Sequence, residues 1–453
     1  MLARCRIDGQ YVWSVFFASG EFMANTGSSK SDLPASPNPF KTLALSAIVP
    51  LIVMVGLLLC SPNYQAANQD FEQPLSCPLG GDFLQEYVGG RLILDPAKRD
   101  HLYDAATFQD TQHDAQVIGF TWDQEQFFPA VYPPFWYSAV SPLSNLPYLV
   151  ASKVWLVLMT LALVAAVWLL NRYANVPAPI VIVMCLSAPV IQSLSAGQKG
   201  TLLLLILSVS YVLLRQRRDF LSGLVFALIA FKPHLAIVIG LWMLVSRNWR
   251  WCVGAFSGLA VLVITSLAIS PDLVSNYVNV VAGFGDYVQS GGYHLNESFS
   301  CWSFWQQLIR NTVGAKVLTG ITSLLIFGAS LWIFRPRHGS TVTLTEIDRS
   351  FAAMVIVTML TSPHLYAYDL TMLLLPIGLM TRIVLTAKAA NQTDQERNYA
   401  DWLPVGLMAL VMFASVAITS FAASSGFQAG FLLLVTVWIT IMRPVFVATP
   451  RAS

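Results

Sequence analysis

Asp82 stands between Gly80-Gly81 and Phe83, a carboxylate on a glycine-flanked turn. Such a group can act as a general base that takes the proton from an attacking hydroxyl, a contribution of typically about 10²- to 10⁴-fold. The plainer reading is a solvated surface acid, because residues 61 to 146 carry eleven acids, from Asp70 to Glu125, against three bases, Arg91, Lys98 and Arg99. Lys232 precedes Pro233 and His234 inside an apolar stretch. A lysine and a histidine at backbone amides freed by a helix break make a cradle for a phosphate or pyrophosphate. Against this stands an interfacial anchor, a lysine snorkelling to the membrane surface. His364 follows Pro363 and leads into Tyr366, Tyr368 and Asp369. These groups suit recognition of a sugar or a phosphate, although Asp369 would serve equally as a helix cap. Gln198 and Lys199 lie between two apolar runs, where a polar hairpin tip is the expected reading and donation to a ligand the other.

Several chemistries are excluded. His101 and His113 lack the paired spacing of metal ligands, so neither a metal nor another cofactor is expected. There is no Walker loop and no Gly-x-Ser-x-Gly elbow, and soluble nucleotide chemistry is not expected. The net charge of +2 comes from bases in short clusters between apolar runs, not from a patch, so no nucleic-acid partner is expected. Six cysteines show no Cys-x-x-Cys spacing, and a bridge between Cys77 and Cys301 stays open.

The elements that position these residues are membrane helices. Of 453 residues 55% are hydrophobic and 11% charged, with mean hydropathy +0.60, the composition of a polytopic membrane protein. Apolar runs occur at 42–60, 148–170, 177–195, 201–214, 219–231, 235–246, 252–270, 316–334, 350–362, 369–386, 402–421 and 426–442. They predict an all-α polytopic fold of roughly 10 to 12 transmembrane or re-entrant helices. The runs flanking Phe231-Lys232-Pro233-His234 and Ser362-Pro363-His364 read as broken or re-entrant helices, whose turns must be buried in protein or line a wet cavity. The expected domains are a disordered cytoplasmic segment 1–40, a membrane domain 41–446 and a cytoplasmic tail 447–453. Within the membrane domain the acidic stretch 61–146 cannot lie in hydrocarbon and is expected to form a lobe on one membrane face. With the N-terminus inside, eighteen of the 26 bases fall on the cytoplasmic side and fifteen of the 24 acids outside, as the positive-inside rule requires. The lobe, Gln198-Lys199, Lys232, the loop 271–311 with Asn296, and His364 then share the outer face.

The motifs also carry a resemblance. Gly81-Asp82-Phe83 with Tyr87 and Gly89-Gly90, then Tyr132-Pro133-Pro134-Phe135 leading into Pro142-Leu143, then Gly197-Gln198, Lys232-Pro233 and Ser362-Pro363-His364, in this order, resemble glycosyltransferase family 87. The resemblance implies a GT-C-like helical bundle in the cell (inner) membrane with its active site in the extracytoplasmic loop lobe. It also implies an inverting hexosyltransferase, a mannosyltransferase by the family's example, that uses a polyprenyl-phosphate-linked sugar and a glycolipid or glycan acceptor. Asp82 matches the family's loop aspartate, the implied base. Lys232 and His364, at matching polar breaks, with His234, would hold the donor phosphate. Gln198, Tyr132, Tyr366, Asp369 and Asn296, on the same face, are the expected substrate contacts. The acidic stretch Asp95 to Asp123 matches no motif.

Two rivals belong to other classes. A secondary transporter would also use broken helices and intramembrane charges, but the two halves of the sequence show no repeat. A non-catalytic envelope-lipid assembly protein would keep the fold with Asp82 inert. The topology is testable by itself: single cysteines in the lobe should react with an impermeant reagent from outside, and those at Arg215 to Asp219 only from the cytoplasm. Lobe labelling from the cytoplasm alone would overturn the orientation.

Overall fold

The computed structural model describes residues 39–61, 64, 75, 77–174, 178–289, 294–334, 343–389 and 395–447. The N-terminal segment to residue 38, lobe residues 65–74 and the tail beyond Val447 lie outside them. The described chain is helical, without a strand. In order it forms α1 (Pro39–Cys60), α2 (Phe83–Leu94), α3 (Ala105–His113), α4 (Ala115–Ile118), α5 (Pro134–Val140), α6 (Tyr148–Ala174), α7 (Ala178–Met184), α8 (Ala188–Ser195), α9 (Gly200–Arg215) and α10 (Asp219–Phe226). There follow α11 (Pro233–Val245), α12 (Trp249–Ile269), α13 (Pro271–Gln289), α14 (Cys301–Ile309), α15 (Thr312–Phe334), α16 (Leu344–Thr361), α17 (Leu374–Ala389), α18 (Gln395–Ser425) and α19 (Ala429–Val447).

Among the described residues six helices are long and apolar enough to cross a membrane, seven if the bent pair α8 and α9 is one span. Three shorter apolar helices, Asp219–Phe231, Pro233–Val245 and Ala429–Met442, join them. The lipid-like solvent is visible in which side chains are left uncovered. α1, α12 and α15 leave Leu59, Phe256 and Leu324 exposed, which hydrocarbon accepts and water would not. α16, by contrast, is buried at every residue from Phe351 to Leu360 and forms the centre of the bundle. Glycines bring helices close: a Cβ on Gly223 would lie 2.0 Å from the Trp251 carbonyl oxygen, and one on Gly254 2.0 Å from that of Phe220. This locks α10 onto α12.

The two ends of the bundle hold separate charge clusters. Buried Asp348, near the start of α16, accepts from the Tyr211 hydroxyl at 2.5 Å, pairs with Arg382 and lies 3.8 Å from Arg215. Arg215 ends the helix that begins beside Lys199, so the clusters are separated by the length of α9, about 24 Å at 1.5 Å per residue.

Breaks in the helices follow from proline and glycine. The run 177–195, expected as one helix, is divided at Ser187, whose backbone is extended before Ala188-Pro189 starts α8; proline has no N–H to continue the ladder. α8 and α9 meet at 114° through Gly197, which has φ +63°. Lys232 is the non-helical residue between the 3₁₀ turn Ala227–Phe231 and α11, with Pro233 in the first turn, where its missing N–H costs nothing. The stretch 271–311, expected as a loop, contains α13 and α14 instead; Leu273 and Phe304 are buried while Val278 and Leu308 are exposed, the pattern of amphipathic helices.

The lobe is held to the bundle by two glycine turns pressed together. Gly80 and Gly81 have φ +72° and +60°, and the Asp82 N–H donates to the Ala196 carbonyl at 2.9 Å. A Cβ on Gly81 would stand 2.5 Å from that carbonyl oxygen, and one on Gly197 2.3 Å from the Gly80 oxygen. Trp155 of α6 donates its indole N–H to the Gly197 carbonyl at 2.8 Å, and Phe83 stacks on the same indole at 5.0 Å. Gly89 and Gly90 let α2 lie against Tyr137 of α5 and the Ser141–Asn145 turn, where the Ser144 hydroxyl donates to the Tyr87 carbonyl at 2.8 Å.

Gly197→Ala should therefore destabilise the protein by at least about 3 kcal/mol, through left-handed backbone strain plus overlap with Gly80. Gly119→Ala, with φ +81° but nothing within 4 Å of the added carbon, should cost only about 1 to 2 kcal/mol. Thermal unfolding of the two variants in detergent checks this; equal melting temperatures would contradict the packing account.

Candidate active site

Asp82 immediately precedes α2 and is partly exposed. One of its oxygens, Oδ2, accepts from the Gln198 amide. One helical turn further, buried Glu86 pairs through Oε1 with the Lys199 ammonium, which also lies 4.1 Å from the centroid of the Tyr132 ring. Tyr132 is placed by Pro133 and Pro134, which start α5, and by its carbonyl, which accepts from the Tyr103 hydroxyl at 2.6 Å. A second buried pair repeats the pattern: Lys232 Nζ is 2.7 Å from Asp369 Oδ1 and 5.2 Å from the centroid of Tyr368. The rings continue from there, with His234 at 6.2 Å from His364, His364 at 4.6 Å from Tyr366, and Tyr366 at 5.6 Å from Tyr368. Tyr366 is fixed by a bridge to Ser298, and its hydroxyl accepts from the His294 N–H at 3.2 Å.

The electrostatics divide the three carboxylates. Glu86 and Asp369 each hold a lysine, whereas Asp82 has an uncharged amide as its contact. Loss of solvent raises Asp82 to about 6; Lys199 and Lys232 pull it down and Glu86 pushes it up. Burial also raises Glu86, against the pull of Lys199. His364 is pushed down to about 3 by burial and by Lys232, so near neutrality it is an uncharged imidazole that can give one N–H bond but no charge. Glu86 Oε2, Asp369 Oδ2, Gln198 Oε1 and His234 Nε2 are buried and have no hydrogen-bond partner among the described residues. Acceptor oxygens of this kind favour a ligand that brings hydroxyl groups, since a buried acceptor left unpaired costs about 1 to 3 kcal/mol.

Most of the expected site residues converge. Asp82, Tyr132, Gln198, Lys232, His234, His364, Tyr366 and Asp369 form one connected group. Asn296 lies on the Leu295–Glu297 turn, where its carbonyl accepts from Gln428 at 3.1 Å beside the start of α19, while the flanking His294 and Ser298 contact Tyr366. Three readings need correction. Gln198 and Lys199 are not a hairpin tip: they are 2% and 0% exposed and hold the carboxylates of α2. Lys232 is buried in an ion pair, not snorkelling, and Asp369 serves that pair while the turn it lies in has no side-chain cap. Cys77 and Cys301 are both free thiols, the first exposed and the second buried. The pairing of Glu86 with Lys199, and the place of Tyr368 beside Lys232, were not foreseen. The i, i+4 spacing of Asp82 and Glu86 on a helix was the available signal, for it puts both on one face.

Fold and site together define a polytopic α-helical membrane protein with an acid–base cluster buried where its loop lobe meets the bundle. The family signature of glycosyltransferase family 87 matches residues 130–363, more than half of the chain, and the protein belongs to that family: it is a membrane glycosyltransferase. The matched stretch contains Tyr132, Gln198, Lys199, Lys232, His234 and Asn296, ends one residue before His364, and does not include Asp82 or Glu86. No curated protein and no solved structure matches the chain.

With its carboxyl raised to about 6, Asp82 acting as the base would set the pH dependence of the transfer. Above that value Asp82 is ionised and can accept a proton; below it the group is already protonated. Hence kcat/KM should be level at neutral pH and fall about tenfold per pH unit below about 6. A profile still flat at pH 5 would show that the working base is another group.

Proposed function

We propose that the protein transfers a hexose, mannose by its family resemblance, from a polyprenyl-phosphate carrier to a hydroxyl of a lipid-linked or polysaccharide acceptor on the extracytoplasmic face. The acceptor oxygen attacks the anomeric carbon from the side opposite the phosphate, so the configuration inverts. The bond from the anomeric carbon to the phosphate oxygen breaks, and its electron pair leaves with the phosphate. Asp82 takes the hydroxyl proton. Lys232, with N–H groups from His234 and His364, balances the charge that grows on the leaving phosphate.

The observation that carries this reading is a difference in contacts among the three carboxylates: Asp82 alone holds an uncharged amide in place of a lysine and retains exposure, and loss of solvent raises it to about 6. Such a group can both accept a proton at neutral pH and reach an acceptor. The charge bias of the loops supports the extracytoplasmic face. Gln198, Tyr132, Tyr366, Asp369 and Asn296 are the proposed substrate contacts.

Two substitutions separate base from donor site. Asp82→Asn should lower turnover by at least about 10²-fold with donor binding nearly intact, since it removes the proton acceptor and keeps the shape. Lys232→Met combined with Asp369→Asn, which leaves no unpaired buried charge, should weaken donor binding by roughly 1 to 3 kcal/mol as well as slow transfer. Donor affinity and single-turnover rate measured on each variant check both. If Asp82→Asn keeps more than about a tenth of the rate, the base is elsewhere, and Glu86 is the first alternative.

A further inference from the structure

Of the four ion pairs among the described residues, Glu86–Lys199 is the most deeply buried: both side chains are fully shielded, with the Tyr132 ring against the lysine. The transfer step proposed above gives it no task. Placing two charges there carries a desolvation penalty, and packed apolar residues are often as stable. The position supplies a reason. Glu86 follows Asp82 by one helical turn, and Lys199 follows Gln198 directly. The contacts Gln198 to Asp82 and Lys199 to Glu86 therefore run side by side between the same two segments.

We infer that the Lys199–Glu86 pair is a positioning device for Asp82, which locks the first turn of α2 onto the 196–199 turn and sets the charge around the base. This rests on Asp82 being the base. The charged and titratable groups that act on Asp82 come from several segments: Glu86 from α2, Lys199 from the turn before α9, Lys232 from the break before α11, Tyr368 from the Ala367–Leu373 turn, Tyr132 before α5 and Tyr148 from α6, while Asp369, His234 and His364 face Lys232. Within this set Glu86 and Lys199 act on Asp82 with opposite signs. A device of this kind must therefore respond to loss of either member in opposite directions. A pair that only holds the fold together would not.

The test is the pH dependence of kcat/KM for the purified full-length protein with a lipid-linked donor. Glu86→Gln removes repulsion and should move the acid limb down by about half a pH unit or more; Lys199→Met removes attraction and should move it up by a similar amount. The double variant should return close to the wild-type limb, with KM for the donor changed less than about threefold throughout. A stationary limb, or a shift in the same direction for both single variants, overturns the inference. Where a single variant does not fold, Lys199→Arg decides: the charge is kept, so the limb should stay while kcat falls at least about fivefold at constant KM, and wild-type kcat would overturn the inference. Asp82→Asn separates the two possible failures. If it is active, the assignment of the base fails; if it is inactive and the limb does not move, only the positioning role fails.

Discussion

The contact between two glycine turns, Gly80-Gly81 and Ala196-Gly197, is the constraint on which the site depends. Backbones approach this closely only without side chains, as Cβ atoms at Gly81 and Gly197 would overlap carbonyl oxygens of the opposite turn. The approach sets the register between lobe and bundle. Once the Asp82 N–H meets the Ala196 carbonyl, Asp82 falls on Gln198 and Glu86 on Lys199. The aromatic groups of α6 hold the turns in place, through Trp155 on the Gly197 carbonyl and Tyr148 on that of Leu79. A polar group in a membrane-embedded bundle has few such footholds, so backbone contact has to do what water does elsewhere.

Around that contact the charges follow one rule. Two carboxylates are neutralised by lysines, each beside a tyrosine ring, and the third is left with an amide. Loss of solvent makes the Asp82 carboxyl basic enough to take a proton, and Lys199 and Lys232 nearby keep it ionised near neutrality. The opposite end of the bundle behaves differently. There Asp348 is fully engaged by Tyr211, Arg382 and Arg215, an arrangement that ties α9, α16 and α17 together and leaves no group poised for proton transfer. Membership of a glycosyltransferase family also removes the reason to read the broken helices as a transport pathway.

The sequence was most informative where physics is local. Apolar length predicted the spans, and proline located the breaks at Lys232-Pro233 and Ser362-Pro363-His364. The order of short motifs pointed to the family. It was least informative where the outcome depended on a distant partner. Lys199 reads as a hairpin tip because nothing near it in the chain explains a buried charge; its partner Glu86 is 113 residues away. Lys232 and Asp369 are separated by 137 residues and each has a plausible local role, anchor or cap, which the ion pair overrides. The helices α13 and α14 were hidden because their apolar residues recur with helical spacing without forming a continuous run.

The central claim is that this membrane glycosyltransferase draws its sugar from a lipid phosphate and passes it to a hydroxyl activated by Asp82. The most direct measurement gives the purified, reconstituted protein a radiolabelled polyprenyl-phosphate hexose and, separately, the corresponding nucleotide sugar, and follows the label and the anomeric configuration of the product. The account predicts label in a glycosidic product from the lipid-phosphate donor only, with inverted configuration. Label transferred only from the nucleotide sugar, a product of retained configuration, or movement of intact donor across the bilayer without a new glycosidic bond would contradict it.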